Sequence, residues 1–446
     1  MNTKHLKTRI LDLALQGKLV ENSRIPNDLN SRIPSDFNPP FGIPNSWEWV
    51  KLGDICEISS GGTPSRNEAE FWENGTIPWL KIADIKDDYV NSSSEFITQK
   101  GLENSSAKIF KKGTLLFTIF ATLGEVAILN IDASTNQAIV GLTPKKDNYI
   151  TKFIFFALKN IKNSVNLIGR GATQKNINQT ILKNFYIPLP PLDEQERIVK
   201  KIDELFSQID ILDKHKESLL KNIKHTKTRI LDLALQGKLV KNSRIPNDVK
   251  SRIPSDFNPP FEIPNSWQWV KLGEIVSVTD FVANGSFATL RENVKYYNEK
   301  NYAILVRLAD FTKNWDNNYI YCDKHAYDFL KKSSLKPNDI VMCNVGSLGV
   351  TFKVPDLGQP MTLAPNSILI RPLNKNILND FLFYLFNSLF FKNSLNTIKS
   401  STTQPKFNKT DFKTIYIPLP PKDEQEKIVK KIDELFEILE IIENSL

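Results

Sequence analysis

Two copies of the tetrapeptide Asn-Pro-Pro-Phe, at 38–41 and 258–261, carry the most specific chemical meaning in this sequence. An asparagine followed by a carbonyl held between prolines can grip the amino group of a nucleobase, and the aromatic after it can stack on a base swung out of its duplex. Such chemistry also needs a bound donor molecule, and no glycine-rich loop following a strand stands upstream of either copy. Both copies lie in one proline-rich passage, RIPSDFNPPFxIPNSW, and they are read as connector rather than catalytic loop. Other reactive residues are dispersed: four histidines (His5, His215, His225, His325) and three cysteines (Cys56, Cys322, Cys343) without a CxxC pair. With no HExxH and no phosphate-binding G-x-x-x-x-G-K-[ST], the sequence predicts no catalytic residue, no metal site and no disulfide framework in this chain. It also predicts a soluble, cytoplasmic protein, because the longest uncharged apolar stretch, 113–124, is too short to span a bilayer.

Polar and cationic loops are better candidates for contact with double-stranded DNA. Gly61, Gly62, Thr63, Pro64, Ser65 and Arg66 form a loop able to offer backbone N–H groups, hydroxyls and a guanidinium to phosphates and base edges. Thr173, Gln174, Lys175 and Asn176, and later Thr402, Thr403, Gln404 and Lys406, are read as loops near DNA in preference to helix-entry caps. Lys81, Ser286, Arg291 and Arg307 complete the candidate contacts. The balance of 58 Lys and Arg against 50 Asp and Glu, a net +8, is compatible with a nucleic-acid partner.

The elements that position these loops are repeated. Residues 7–53 match 227–273 at 42 of 47 positions, and 186–206 matches 416–436 with differences only at Leu192 and Arg197. In the middle of the chain the two blocks are joined; at the ends they are split. Read as a circle, the chain is two halves, and it predicts a pseudo-two-fold molecule with neighbouring termini. From Ile198, steps of four and three land on Ile202, Leu205, Ile209, Leu212, Lys216, Leu219 and Ile223, and the second copy runs Ile428, Ile432, Leu435, Leu439, Ile442 and Leu446. This is a coiled-coil seam. Pro190 and Pro191 precede the first helix, and Asp193 with Glu196, like Asp423 with Glu426, has the spacing of an acidic capping box. A helix from 193 to about 224 spans roughly 50 Å.

Between the blocks the halves diverge, and each has the mixed α/β (α+β) look of a globular domain. The predicted organisation is an N-terminal helical segment (1–20) packing with the C-terminal helix, a first domain (21–185, with a linker at 21–46), a helical spacer (186–240), a second domain (241–415, linker 241–266) and a C-terminal helix (416–446). IPWLKIADI at 77–85 corresponds to YAILVRLADF at 302–311, FKKGTLLFTIFATLG at 110–124 to LKPNDIVMCNVGSLG at 335–349, and TQKNIN at 173–178 to TQPKFN at 403–408. A constant scaffold carrying two related but divergent domains suits an asymmetric, two-part target. On duplex DNA two such domains would best sit about one helical turn, roughly 34 Å, apart.

YIPLPPLDEQERIVKKIDELF, ILDLALQGKLV, IPNSWEWVKLGDI and SGGTPSRNEAEFWENGTIPWLKIADI, in this order around the circle, resemble the specificity subunit of type I restriction-modification systems over essentially the whole chain. The resemblance implies two target-recognition domains joined by long antiparallel coiled-coil helices. It implies two modification (methyltransferase) subunits and, through them, restriction subunits as partners, docked at Leu205, Ile209, Leu435 and Leu439 or on the ILDLALQGKL segment. S-adenosylmethionine, ATP and Mg would belong to those partners, with no cofactor in this chain. The second domain has VANGSFATLRENV at 282–294 in place of SGGTPSR, a departure expected where half-sites differ. Two other classes fit less of the sequence: a catalytic methyltransferase, which the missing cofactor loop opposes, and a freestanding DNA-binding scaffold. Recombination at the repeats is a further expectation, since it would exchange recognition domains.

Overall fold

Proline decides where the long helices begin. Pro190–Pro191 and Pro420–Pro421 cannot continue a helix, and helices follow directly at Leu192–Leu235 and Lys422–Ser445. The computed structural model describes the chain except residues 1–2, 24–33, 35–36, 87, 121, 147–148, 161–176, 242–253, 255 and 401–403. The chain divides into two compact units, Met1–His215 and Lys216–Leu446.

The central helix is longer than the sequence suggested. It runs unbroken for 44 residues through the second ILDLAL copy, about 66 Å at 1.5 Å per residue. No proline or glycine interrupts 192–235, and the helix ends where Gly237 adopts a left-handed φ of +67°. The expected acidic capping boxes are not formed. Pro421 is the N-cap of the C-terminal helix, without a side-chain cap, while the carboxylates of Asp193 and Asp423 turn to Arg197 (2.6 Å) and Lys427 (3.2 Å) one turn on.

Helix pairing takes place within each unit. The N-terminal helix Thr3–Leu15 packs Ile10, Leu11, Ala14 and Leu15 into the first unit's core with Ile198, Ile202 and Ile209. In the second unit Ile230, Leu231, Ala234 and Leu235 pack with Ile428 and Ile432. Each copy of ILDLAL therefore meets one copy of the DEQ-containing helix. Lys7 lies 5.3 Å over Phe206 and pairs with Asp210; Lys227 lies 5.9 Å over Phe436 and pairs with Glu443. The heptad seam is only partly buried, because Leu212, Leu219 and Ile442 are exposed.

The globular parts are mixed α/β with matching topology. In the first unit an antiparallel ladder runs Cys56–Ser60, Ile139–Pro144, Leu115–Thr118, Val126–Leu129, with Tyr89–Val90 added in parallel at the edge. A second sheet orders Glu95–Ile97, Ile77–Leu80 and Ser134–Thr135. The second unit repeats this as Val276–Asp280, Ser367–Pro372, Ile340–Cys343, Thr351–Lys353, beside Ile320–Cys322, Ala303–Val306, Met361–Leu363, Ser334–Leu335. Central strands buried on both faces explain the continuous apolar runs LLFT and IVMC.

One latch joins each globular part to its helix pair. Strand Glu48–Lys51 pairs with Tyr186–Leu189, and Gln268–Lys271 with Tyr416–Leu419, in the same register. Beneath them the fully buried Glu194 accepts a 2.8 Å hydrogen bond from Trp47 Nε1, and Glu424 a 2.7 Å bond from Trp267 Nε1. Gln195 accepts from the Ile150 backbone N–H (2.9 Å) and donates to Pro190 O, and Gln425 does the same with Leu378 (2.8 Å) and Pro420. The DEQ triplet thus binds the entry of the globular helix beginning at 151 or 379. The NPPF passages are connector in both units. Phe41 and Phe261 each pack 5.2 Å from a strand tryptophan, Trp49 and Trp269, and so do not stand free to stack on a base.

Candidate nucleic-acid interface

In the first unit the candidate loop is built by its glycines and two tryptophans. A Cβ on Gly61 would fall 2.1 Å from Thr135 Oγ1, and one on Gly62 2.3 Å from Ser106 Oγ, so only glycine fits. Their N–H groups are not available to DNA, contrary to expectation: Gly61 donates to Ile139 O (3.2 Å), Gly62 to Thr135 O (2.9 Å), and both residues are buried. Close packing, rather than anion binding, accounts for the glycines. Beyond them Trp79 Nε1 donates to Gly62 O and Trp72 Nε1 to Ser65 O, each at 2.9 Å. The two indoles, edge to face at 5.0 Å, pin the loop so that Ser65 and Arg66 project into solvent. Thr63 is half-buried and donates to Gln137 Oε1.

Arg66 and Lys81 converge. The Arg66 guanidinium lies 3.7 Å over the Trp72 ring and 4.8 Å from that of Trp79. Glu95 meets Arg66 Nη1 and Lys81 Nζ, each at 2.6 Å; the lysine contact is an aligned hydrogen bond and the arginine contact a close charge pair. Lys81's hydrogen bond, with Arg66's help, outweighs partial burial and holds the Glu95 carboxyl below its usual range.

Two further segments are tied to the strand that leads into the glycine loop. Strand Leu115–Thr118 leads into a loop closed by Gly124 at φ +81°, which leaves Phe120 52% exposed. Ile177 N–H donates to Ile119 O, and Gln179 Nε2 donates to Ser60 Oγ, so the segment after 176 is tied to both loops. Thr173, Gln174, Lys175 and Asn176 lie outside the described residues, as do Thr402 and Thr403. The helices that follow, Gln179–Lys183 and Lys409–Thr414, are capped by Asn178 and Asn408.

The second unit assembles the corresponding face from different side chains. Ser286 caps the helix Phe287–Asn293 by accepting from Thr289 N–H, which places Phe287, 79% exposed, at its head. Phe287, Arg291, Tyr296, Asn344 and Asn366 line a hollow of about 590 Å³. A neighbouring hollow of about 490 Å³ takes in Arg307 and shares Tyr296, Val345 and Asn366. Lys406 forms a bridge with Val345, and Gly346 N–H donates to Pro405 O, which brings exposed Gln404 and Lys406 to the same rim. Arg307 is held by Asp310 at 2.6 Å and by Asn318 O at 3.1 Å.

Leu205, Ile209, Leu435 and Leu439, expected to meet a partner, pack within this chain: Ile209 is buried, and the others lie half-buried against the two cores. Further along the same seam Leu212, Leu219 and Ile442 are exposed. Off the seam, Ile211, Ile438 and Ile441 are also exposed on the same helices.

The architecture finds its counterpart among known proteins. A family model described as the type I restriction modification DNA specificity domain matches this chain twice, at 44–221 and 264–446. The chain belongs to that family. It is 28% identical over 409 residues to the type I restriction enzyme MjaIX specificity subunit of Methanocaldococcus jannaschii, covering 89% of this chain and 88% of that one. It is 23% identical to the EcoBI specificity subunit of Escherichia coli, covering 92% and 83%. Among solved structures, a chain from work on complex assembly and conformational transition of the type I R-M system aligns with a TM-score of 0.62 at 20% identity, covering 91% and 94%. The HsdS subunit from Thermoanaerobacter tengcongensis aligns at 0.56 and 20%, covering 91% and 93%. The fold is thus that of type I specificity chains.

For this type I specificity-family chain, the residues that sequence reading missed are the aromatics. Trp72 and Trp79 set the Arg66 geometry, while Phe120, Phe287 and Tyr296 stand exposed where an apolar side chain would ordinarily be buried. Trp72 was legible in principle, since FWENG follows SGGTPSR within one short passage. Among the described residues no helix is long and apolar enough to cross a membrane.

Proposed function

We propose that this chain is the non-catalytic DNA-reading subunit of a type I restriction-modification assembly, and that it recognises an asymmetric, bipartite duplex site, one half by each unit. The observation that carries this reading is a contrast. The latch residues Glu194, Gln195 and Trp47 recur as Glu424, Gln425 and Trp267 with the same partners, whereas the cation side chains of the two faces are held differently, Arg66 and Lys81 by Glu95 of a neighbouring strand and Arg307 by Asp310 of its own turn. An unchanging frame with two divergent faces suits two different half-sites, because base contacts specify sequence while the frame only sets position.

In this reading two methyltransferase subunits dock on the repeated helices, and restriction subunits join through them. Adenine methylation and cleavage, with S-adenosylmethionine, ATP and Mg, belong to those partners. Exposed Ile211, Ile438 and Ile441 give the helices an apolar surface suited to such docking.

The test is a genome-wide map of N6-methyladenine in the source strain with this gene intact and deleted. Loss of one split motif, methylated on each strand, supports the reading and identifies the target. An unchanged map in a strain whose methyltransferase is expressed would leave the chain as a freestanding DNA-binding scaffold.

A further inference from the structure

The two units treat one cation position in opposite ways. Lys81 and Arg307 follow equivalent strands, Ile77–Leu80 and Ala303–Val306, and each backbone N–H is held by the carboxylate three residues on, Asp84 (2.9 Å) or Asp310 (2.8 Å). In the second unit that same Asp310 also binds the Arg307 side chain, so the cation is fixed by its own turn. In the first unit the side chain is fixed from the neighbouring strand, where Glu95 lies opposite Trp79. The matching strand position in the second unit, opposite Leu305, is Ile320, which can hold no cation.

Glu95 is costly where it stands. A carboxylate beside phosphates repels them, and this one removes about half of the charge that Arg66 and Lys81 would otherwise present. Its geometry shows a compensating role. Arg66 is clamped between the Trp72 and Trp79 rings and Glu95, with half of its side chain still exposed (51%), and Lys81 is drawn to the same carboxylate with 39% exposed. Two long, mobile cations thereby present one fixed arrangement of N–H donors. Free to move, they would follow the phosphate backbone, which carries no sequence information; held still, they can match base edges.

We propose that Glu95 is a specificity-determining positioning residue of the first unit, fixing Arg66 and Lys81 in a single geometry for base readout at the expense of general affinity for DNA. This rests on the reading that the first-unit face contacts DNA.

The test uses the full chain, with selection from a random duplex library, salt titration on one non-specific duplex, and a thermal melt of each variant. Glu95→Gln keeps the shape and removes the charge. It is expected to bind the non-specific duplex severalfold more tightly, with a slope against salt steeper by about one. It should also lose about tenfold in preference at one position of one half-site, with the other half-site unchanged. Glu95→Asp keeps the charge but is too short to hold both cations; it should lose the preference without the gain in general affinity. Both variants keeping the parental preference, or Glu95→Gln weakening all DNA equally, would overturn the proposal and mark Glu95 as structural. Arg66→Ala with Lys81→Ala separates the two levels. If that double variant leaves DNA selection unchanged, the first-unit face is not the contact, and the reading beneath the proposal fails; if it matters while Glu95→Gln does not, only the role of Glu95 falls.

Discussion

Glu194 and Glu424 show how much a single buried side chain can decide. Each takes the indole N–H of a tryptophan that is 1% exposed, so removing the carboxylate strands a buried donor. Glu194→Ala is expected to cost about 1–3 kcal/mol and to lower the denaturant midpoint of the first unit while sparing the second; Glu424→Ala should do the reverse. Gly62→Ala forces a Cβ to within 2.3 Å of Ser106 Oγ and should cost about 1–3 kcal/mol, whereas Gly42→Ala, with nothing within 4 Å, should be close to neutral in the same denaturation assay. Burial pushes the Cys56 and Cys322 thiols up to about 12, so the native chain at pH 8 should resist alkylation at both and react only after unfolding, as mass spectrometry of the labelled chain would show. Glu95 gives a pH signature of its own. Its carboxyl is depressed, so its ion pairs contribute fully above its ordinary pKa of 4.5 and are lost as pH falls through the lower folded value. The sequence exposed Arg66 and Lys81 as cations but not their clamp, because Glu95 is brought to them by strand pairing across 14 residues, and no local spacing announces that.

At the scale of elements, periodicity identified the buried face and left the partner open. Ile198, Ile202 and Ile209 do form a seam, but the helix they meet is Thr3–Leu15, which is 13 residues long and supplies its own apolar positions at 10, 11, 14 and 15. A heptad pattern states which side is apolar; it does not say what covers it. The heptad pattern ends near 224, yet the helix continues through the ILDLAL passage to Leu235, since nothing in it breaks a helix. On the proposed reading this 44-residue helix acts as a ruler between the half-sites. Seven residues inserted after Asp213 add about 10 Å, the length of about three base pairs, and are expected to change the tolerated spacer in the methylation map while both half-sites stay the same. Altered half-sites would sink the ruler idea. Ile441, 64% exposed, belongs to the docking question: Ile441→Asp should reduce co-purification of the methyltransferase subunit without changing the melting temperature of the isolated chain.

For the whole molecule, the repeat made the architecture legible from the sequence and the divergence made the function legible. Identity of 42 in 47 residues is more than helix packing demands, since cores accept many apolar sequences. The latch explains part of the excess: Trp47, Glu194 and Gln195 are polar partners with fixed geometry, and changing one strands another. What the sequence could not supply is which segments lie together, because Ser60, Ile119 and the residues Ile177 and Gln179 meet only through sheet topology. The latch has one more consequence. It touches its globular domain through an indole belonging to the repeat itself and through one main-chain N–H, that of Ile150 or Leu378, which every non-proline residue possesses. The latch itself therefore makes no demand on side-chain identity in the domain it carries; the helix beyond it does, through Lys152–Asp203 and Phe156–Phe206 in the first unit and Tyr384 with Asp433 and Phe436 in the second. A domain of this topology arriving by exchange of gene segments between the repeats would find its socket already cut, with only a few helix-facing side chains left to match.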